Sequence, residues 1–240
     1  VITQTSWSCT RTDTFRIYGC CQRDMYDPTD PDPTDPDPET VFIRAVNTSH
    51  SSLFSSATVN SADVQNLEIN GEYKIDETVA IYNDVTFHLG PGAKIIVEGV
   101  LVEFNRCTFK ACGNEMWDGI YVNQHQIDMN NCLIKESRTG VYMRNNALLR
   151  AWNSVFTKNY IAIQGTEIKL LGYGNPNPQS NIQLINCTIK GNEGVALLAP
   201  YNQTITAGGI TSYRNSHAGI VLHNAMEISI GDLNNPTNVN

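Results

Sequence analysis

A chain of 240 residues with 41% hydrophobic content is long enough to bury one core, and 16 Lys and Arg against 24 Asp and Glu leave a formal charge of −8. With no basic stripe, nucleic acid is not an expected partner, and no apolar run approaches the roughly 18 residues of a membrane-spanning helix. Seven of the net negative charges sit in segment 24–39, where Asp24, Asp27, Asp30, Asp32, Asp35, Asp37 and Glu39 stand without Lys or Arg, so the remainder is nearly neutral.

The first 60 residues read as an irregular N-terminal β segment or cap. Thr14–Tyr18 and Val41–Val46 have strand character and flank the run Asp27 to Pro38, which holds five of the ten prolines. Proline at this density fixes φ and removes donors, and repelling carboxylates extend the chain further, which predicts a stiff polyproline-II spacer or contact arm. The alternative is calcium held by Asp30, Asp32 and Asp35, since carboxylates are the hard oxygen ligands that ion prefers; the glycine turn and closing Glu of a known calcium loop are missing. No other cofactor is expected. Cys9, Cys20 and Cys21 allow one disulfide with one thiol left over, and the absence of any Cys-x-x-Cys weighs against zinc. No signal-peptide pattern opens the chain at Val1, and no polar cap closes it at Asn240, so it is expected to be a piece of a longer protein.

From residue 61 onward the pattern becomes periodic. Ser61–Leu67 predicts one or two helical turns. Val85, Phe87 and Leu89 alternate with polar residues and lead through Gly90-Pro91-Gly92 into Lys94–Glu98, the period of a strand with one buried face. A phrase then recurs: Phe104-Asn105-Arg106-Cys107-Thr108-Phe109, Asn130-Asn131-Cys132-Leu133-Ile134, Trp152-Asn153-Ser154-Val155-Phe156 and Ile185-Asn186-Cys187-Thr188-Ile189. Each is followed by a small residue and a short apolar strand: Gly119–Val122, Gly140–Met143, Ala162-Ile163 and Gly194–Leu197. The steps are 25, 22 and 33 residues, the last lengthened by a Gly, Pro and Asn-rich loop at 172–180. A further coil is expected from Ile205 through Ile210 to Leu222.

Such self-similarity means stacked β-coils, none of which can bury its apolar face alone. The fold predicted is all-β: a right-handed, single-stranded parallel β-helix over 61–240, six or seven coils from about residue 77, continuing beyond the fragment. Stacked positions form columns. Cys107, Cys132, Ser154 and Cys187 make a small, weakly polar inward column, and Phe109, Ile134, Phe156 and Ile189 make a large apolar one. Cys112, Ser137, Asn159, Asn192 and Asn215 follow at a second corner, where short polar side chains can bond backbone.

No catalytic constellation stands out. Glycoside hydrolysis needs two carboxylates facing each other, and among the outward acidic residues only Glu103 and Asp128 align in successive coils, with no consistent basic column beside them. His88, His125, His217 and His223 are scattered, and Asp118 reads as a corner residue accepting backbone N–H bonds. Trp117 is expected to pack over an open coil edge or, alternatively, to stack on a sugar. Tyr121 and Tyr142, which follow the glycine in adjacent coils, are candidate carbohydrate platforms.

Leu89-Gly90-Pro91-Gly92-Ala93-Lys94-Ile95-Ile96-Val97, then Asn105-Arg106-Cys107-Thr108-Phe109-Lys110-Ala111-Cys112-Gly113 and Met116-Trp117-Asp118-Gly119-Ile120-Tyr121-Val122, resemble the right-handed β-helix regions of large secreted proteins of Bacteroidota. Those proteins typically end in a type IX secretion sorting domain, so export by that route is what the resemblance implies. The likeness covers roughly residues 77–225 and transfers no catalytic residue. It implies an extracellular or cell-surface location and a structural or adhesive module that is not an enzyme. The expected partners are other domains or further copies of the same protein. A carbohydrate-binding β-helix, or a fragment of a polysaccharide lyase or hydrolase, is the alternative.

Overall fold

The computed structural model describes residues 2–6, 9–13, 42–166, 182–192, 195–207, 210–213 and 216–223. The segment 24–39 with Asp30, Asp32 and Asp35, the 172–180 loop, Asn215 and Cys20 and Cys21 lie outside these residues, as does the side chain of Cys9. The chain opens with an antiparallel hairpin, β1 (Ile2–Ser6) and β2 (Cys9–Asp13). Next come β3 (Phe42–Ser49), the short helix α1 (His50–Leu53), β4 (Thr58–Asn60) and the long β5 (Asn66–Ile75). Ser61–Leu67 is therefore a turn running into a strand and not a helix, because Val64 and Leu67 bury as part of the sheet core.

Five coils follow. The first is β6 (Val79–Asn83), β7 (Thr86–Leu89) and β8 (Lys94–Val97). The second is β9 (Leu101–Asn105), β10 (Thr108–Ala111) and β11 (Gly119–Asn123). The third is β12 (Gln126–Asn130), β13 (Leu133–Lys135) and β14 (Thr139–Arg144), and the fourth is β15 (Leu148–Trp152), β16 (Val155–Thr157) and β17 (Ile161–Thr166). The fifth begins with β18 (Ile182–Ile185) and β19 (Thr188–Ile189), passes through β20 (Thr204–Ala207) and β21 (Ile210–Tyr213), and closes on β22 (Ala218–His223). Every strand of the stack pairs in parallel with its counterpart one coil away, giving a three-faced parallel β-helix. Face 1 is β4-β6-β9-β12-β15-β18. Face 2 is β7-β10-β13-β16-β19 and face 3 is β8-β11-β14-β17-β22, and β5 spans both by pairing with β7 and β8. Because β3 pairs with β5 and β4 with β6, the stack begins near residue 42 and takes in part of the expected N-terminal segment.

The corner between faces 1 and 2 follows directly from the repeated phrase. Asp84, Arg106, Asn131, Asn153 and Asn186 all have left-handed backbone, φ from 50 to 59°. Asn and Asp tolerate that region best, which accounts for most of this column. The residue after each turns inward: Val85, Cys107, Cys132 and Ser154 are buried and Cys187 is half-buried. The three thiols are free, and each reaches one coil down to a carbonyl: Cys107 Sγ to Tyr82 O at 3.4 Å, Cys132 Sγ to Phe104 O at 3.2 Å, Cys187 Sγ to Ala151 O at 3.3 Å. Phe87, Phe109, Ile134, Phe156 and Ile189 stack in register, with the Phe87 and Phe109 rings 4.6 Å apart. Truncating such a core phenylalanine costs about 3–5 kcal/mol.

The second corner buries Cys112, Ser137, Asn159 and Asn192. Ser137 donates through both its N–H and its hydroxyl to Asn159 Oδ1, at 3.0 and 2.7 Å, and Asn159 Nδ2 donates to the Ile134 carbonyl at 3.0 Å. Cys112 is disulfide-bonded.

Two sequence expectations fail in the fifth coil. Gly194–Leu197 was expected to close it, but Ala218–His223 pairs with β17 instead. Residues 195–201 run back over the second corner, where Ala199 accepts from Met116 N at 2.8 Å and donates to Asn114 O at 3.0 Å. Tyr201 lies flat on Tyr160, ring centroids 3.7 Å apart. β20 and β21, expected to run into a further coil, instead pair antiparallel with each other within this one. Similar small-then-apolar segments competed for one place on the sheet, and local pattern does not rank them.

Candidate functional site

Face 3 carries the candidate site. Along each of its strands every second residue points outward, so Lys74, Ile96, Tyr121, Tyr142, Gln164 and Val221 form one outward row across six successive strands. Two positions further on, Asn123, Arg144, Thr166 and His223 form a second row. Tyr121 and Tyr142 meet edge to face, centroids 5.4 Å apart at 66°, rather than as the parallel ladder their spacing suggests. Both are half-buried, so each ring keeps part of its surface open to solvent.

Around this pair lies a concavity of about 480 Å³ lined by Tyr121, Asn123, Thr139, Tyr142, Arg144 and Gln164 with the Val122 backbone strand. The Arg144 guanidinium sits over the Tyr142 ring, 5.2 Å from its centroid, and Lys94 Nζ sits 5.8 Å from that of Tyr121. Cation–π contact of this kind holds both cations beside the aromatic surface. Asp118 does not act mainly as a backbone acceptor, as expected, but ties the neighbouring rungs together: its carboxylate lies 3.1 Å from Arg138 and 3.9 Å from Lys94. Burial, and then the Asp118 charge, pushes the Tyr121 phenol above its ordinary value, so it stays a hydrogen-bond donor.

Trp117 leaves the list of sugar platforms. It is fully buried, its Nε1 donates to the Lys135 carbonyl at 2.8 Å, and its ring packs toward Phe109 with centroids 6.4 Å apart. A glycan cannot reach it. Asn123, Thr139, Arg144 and Gln164 were missed by sequence reasoning, although a constant offset of two from the tyrosine row finds Asn123 and Arg144. The Asp30, Asp32 and Asp35 calcium candidates lie outside the described residues, and among those residues no group of three or more His, Cys, Asp or Glu side chains is placed to hold a metal.

Face 1 bears the aligned carboxylates. Glu103 and Asp128 are partners on adjacent strands, and Arg150 and Gln183 continue the row. Burial raises the Asp128 pKa, against the lowering pull of the bond from Gln126 Nε2 at 2.9 Å and of the Arg150 charge. Beside this row Asn60, Asn83 and Asn105 form a side-chain amide ladder, Asn83 Nδ2 donating to Asn60 Oδ1 at 2.9 Å and Asn105 Nδ2 to Asn83 Oδ1 at 3.0 Å. No helix among the described residues is long and apolar enough to cross a membrane.

No curated protein and no solved structure matches this chain. The family model described as "Right handed beta helix region" matches residues 118–236, the stretch from the second coil to beyond β22. The match and the three-faced parallel stack agree on a right-handed parallel β-helix.

Proposed function

We propose that this chain is a β-helical attachment module of a larger extracellular protein, holding a glycan against the Tyr121 and Tyr142 face. The observation that carries the reading is the concavity itself: two half-open aromatic rings on adjacent rungs, with amide, hydroxyl and guanidinium groups at its rim. Sugar rings present apolar C–H faces edged by hydroxyls, and aromatic surface beside polar groups fits both. The scaffold suits the task, because continuous backbone ladders hold the rings in fixed register under load. The Cys112 disulfide supports secretion, since such bonds persist in oxidising compartments. Assignment to a type IX secretion substrate of Bacteroidota rests on the resemblance of residues 89–122 alone.

A glycan array followed by affinity electrophoresis tests this reading. Wild type should bind at least one polysaccharide, and Tyr121→Ala with Tyr142→Ala should weaken that binding roughly tenfold or more, given about 0.5–1.5 kcal/mol per aromatic contact. Failure of the wild type to bind any glycan would remove the proposal.

A second reading is favoured by Glu103 and Asp128. Glu103 and Asp128 are register partners one rung apart, and the Asp128 pKa is raised by burial, so the pair supplies the two carboxyl groups a retaining hydrolase uses as acid and nucleophile. Depolymerisation of a polysaccharide by the wild type, lost in Asp128→Asn, would install that reading in place of a binding module.

A further inference from the structure

Resting on the glycan-binding reading, we infer that the face 3 concavity takes an acidic glycan, with Arg144 receiving a sugar carboxylate. The inference comes from the accounting of charge around the pocket. Three cations stand near the tyrosine pair: Lys94, Arg138 and Arg144. Lys94 is shared between Glu72 and Asp118, each at 3.9 Å, and Arg138 pairs with Asp118 at 3.1 Å. Among the described residues, Arg144 has no carboxylate within ion-pair distance and no acidic side chain lines the concavity. Its guanidinium is not loose, because the Tyr142 ring beneath it fixes one face. A planar, oriented donor fork with no anion of its own matches a carboxylate bidentately.

The flanking groups agree with that choice. Asn123 and Thr166 are the register partners of Arg144 on the rungs to either side, and Gln164 lies one rung above Tyr142. Asn123 Oδ1 accepts from Asn145 Nδ2 at 2.8 Å, which orients the Asn123 amide. Donors and acceptors spaced by one rung, about 4.8 Å, can follow ring hydroxyls along a chain while Arg144 takes the carboxylate. A neutral polysaccharide would leave that guanidinium without an anion beside a partly desolvated ring.

The experiment compares a polyuronate with its carboxyl-reduced form on wild type, Arg144→Gln, Arg144→Lys and the Tyr121→Ala, Tyr142→Ala double variant, by affinity electrophoresis and calorimetry. Arg144 is exposed, so its replacement should leave the fold intact, which circular dichroism and thermal unfolding check. Wild type should prefer the polyuronate by roughly tenfold, and that preference should fall as salt rises. Arg144→Gln should erase the preference while keeping weak binding of both forms, and Arg144→Lys should retain only part of it. Equal affinity of wild type for the two forms, or a preference unmoved in Arg144→Gln, overturns the carboxylate inference while glycan binding through the tyrosines stands. Binding of neither form, with no other glycan bound on the array, overturns the underlying reading as well.

Discussion

Ser154 Oγ accepts the backbone N–H of Cys132, 3.0 Å away and one coil below, and donates its own proton to the Trp152 carbonyl at 2.9 Å. The cysteines at the same station in other coils only donate, to carbonyls, so the single serine in the column pairs an amide as well. Ser154→Ala should therefore leave a buried N–H unpaired and cost about 1–3 kcal/mol. Urea unfolding would show a lower midpoint at unchanged slope. Ser154→Cys should fall between, since sulfur fills the space but accepts weakly. An alanine variant as stable as wild type would mean the bond contributes nothing.

Asn159 should be the more sensitive corner residue. It is buried and uses both ends of its amide, toward Ser137 and Ile134. Asn159→Ala should cost about 2–4 kcal/mol through several groups left unpaired. Asn159→Asp should be worse near neutral pH, where a buried carboxylate faces the Ile134 carbonyl, and should recover part of the loss as acid protonates it. Thermal unfolding of both variants between pH 7 and pH 4.5 would separate the two effects.

The columns were legible in the sequence because a β-helix writes its corners at fixed phase. Asn131, Cys132 and Ile134 repeat Arg106, Cys107 and Phe109: the first pair share left-handed backbone, both thiols are buried, and Phe109 and Ile134 are register partners. What the sequence could not rank was competition between similar segments: Gly194–Leu197 and Ala218–His223 share a pattern, and only tertiary pairing with β17 decides. Trp117 was ambiguous for a related reason. Its place near an apparent coil edge looked exposed, and the chain at 195–201 that crosses the corner beside it is distant in sequence. At the site, Tyr121 and Tyr142 were visible from their common offset to glycine. Arg144, Asn123 and Gln164 were not, because around the tyrosines the outward residue changes type from rung to rung: Tyr142 gives way to Gln164, and Asn123 to Arg144 and then Thr166.

The inward thiols should be chemically silent. Burial pushes Cys107 up to about 12 and Cys132 up to about 11. The thiolate is the reactive species, so almost none exists near pH 8. Iodoacetamide on the native protein should leave both unmodified by peptide mass spectrometry, and denaturant should expose both. Rapid native labelling of either would place the column in solvent.

Asp76 should give the fold an acid-sensitive contact. Burial works against its charge, but bonds from the Ser51 hydroxyl and Ser51 N–H at 2.5 and 2.9 Å prevail and lower its pKa to about 2. A depressed folded pKa means the contribution is present above the unfolded value of about 4 and is lost as pH falls through about 2. Asp76 is mostly exposed, so solvent screening keeps the effect below about 1 kcal/mol. Asp76→Ala should unfold at lower temperature than wild type at pH 6, with the gap closing toward pH 2. A gap that stays constant with pH would assign the difference to packing.

Gly119 links stability to the site. Its φ of 145° lies where side chains rarely go, and a Cβ there would stand 1.9 Å from the Thr139 carbonyl oxygen on the next rung. That oxygen belongs to the sheet backbone, so neither partner can move without breaking the pairing of β11 with β14. Gly119→Ala should cost at least about 3 kcal/mol, whereas Gly92→Ala, with nothing within 4 Å and only a positive φ to strain, should cost about 1–2 kcal/mol. Because Gly119 heads the strand that carries Tyr121, the same change should pull Tyr121 off Tyr142 and weaken glycan binding, while Gly92→Ala should leave it intact. Calorimetric unfolding and affinity electrophoresis on the two variants give both readings. Equal stability of the two alanine variants would show that the rungs at Gly119 do not approach as closely as the stack requires.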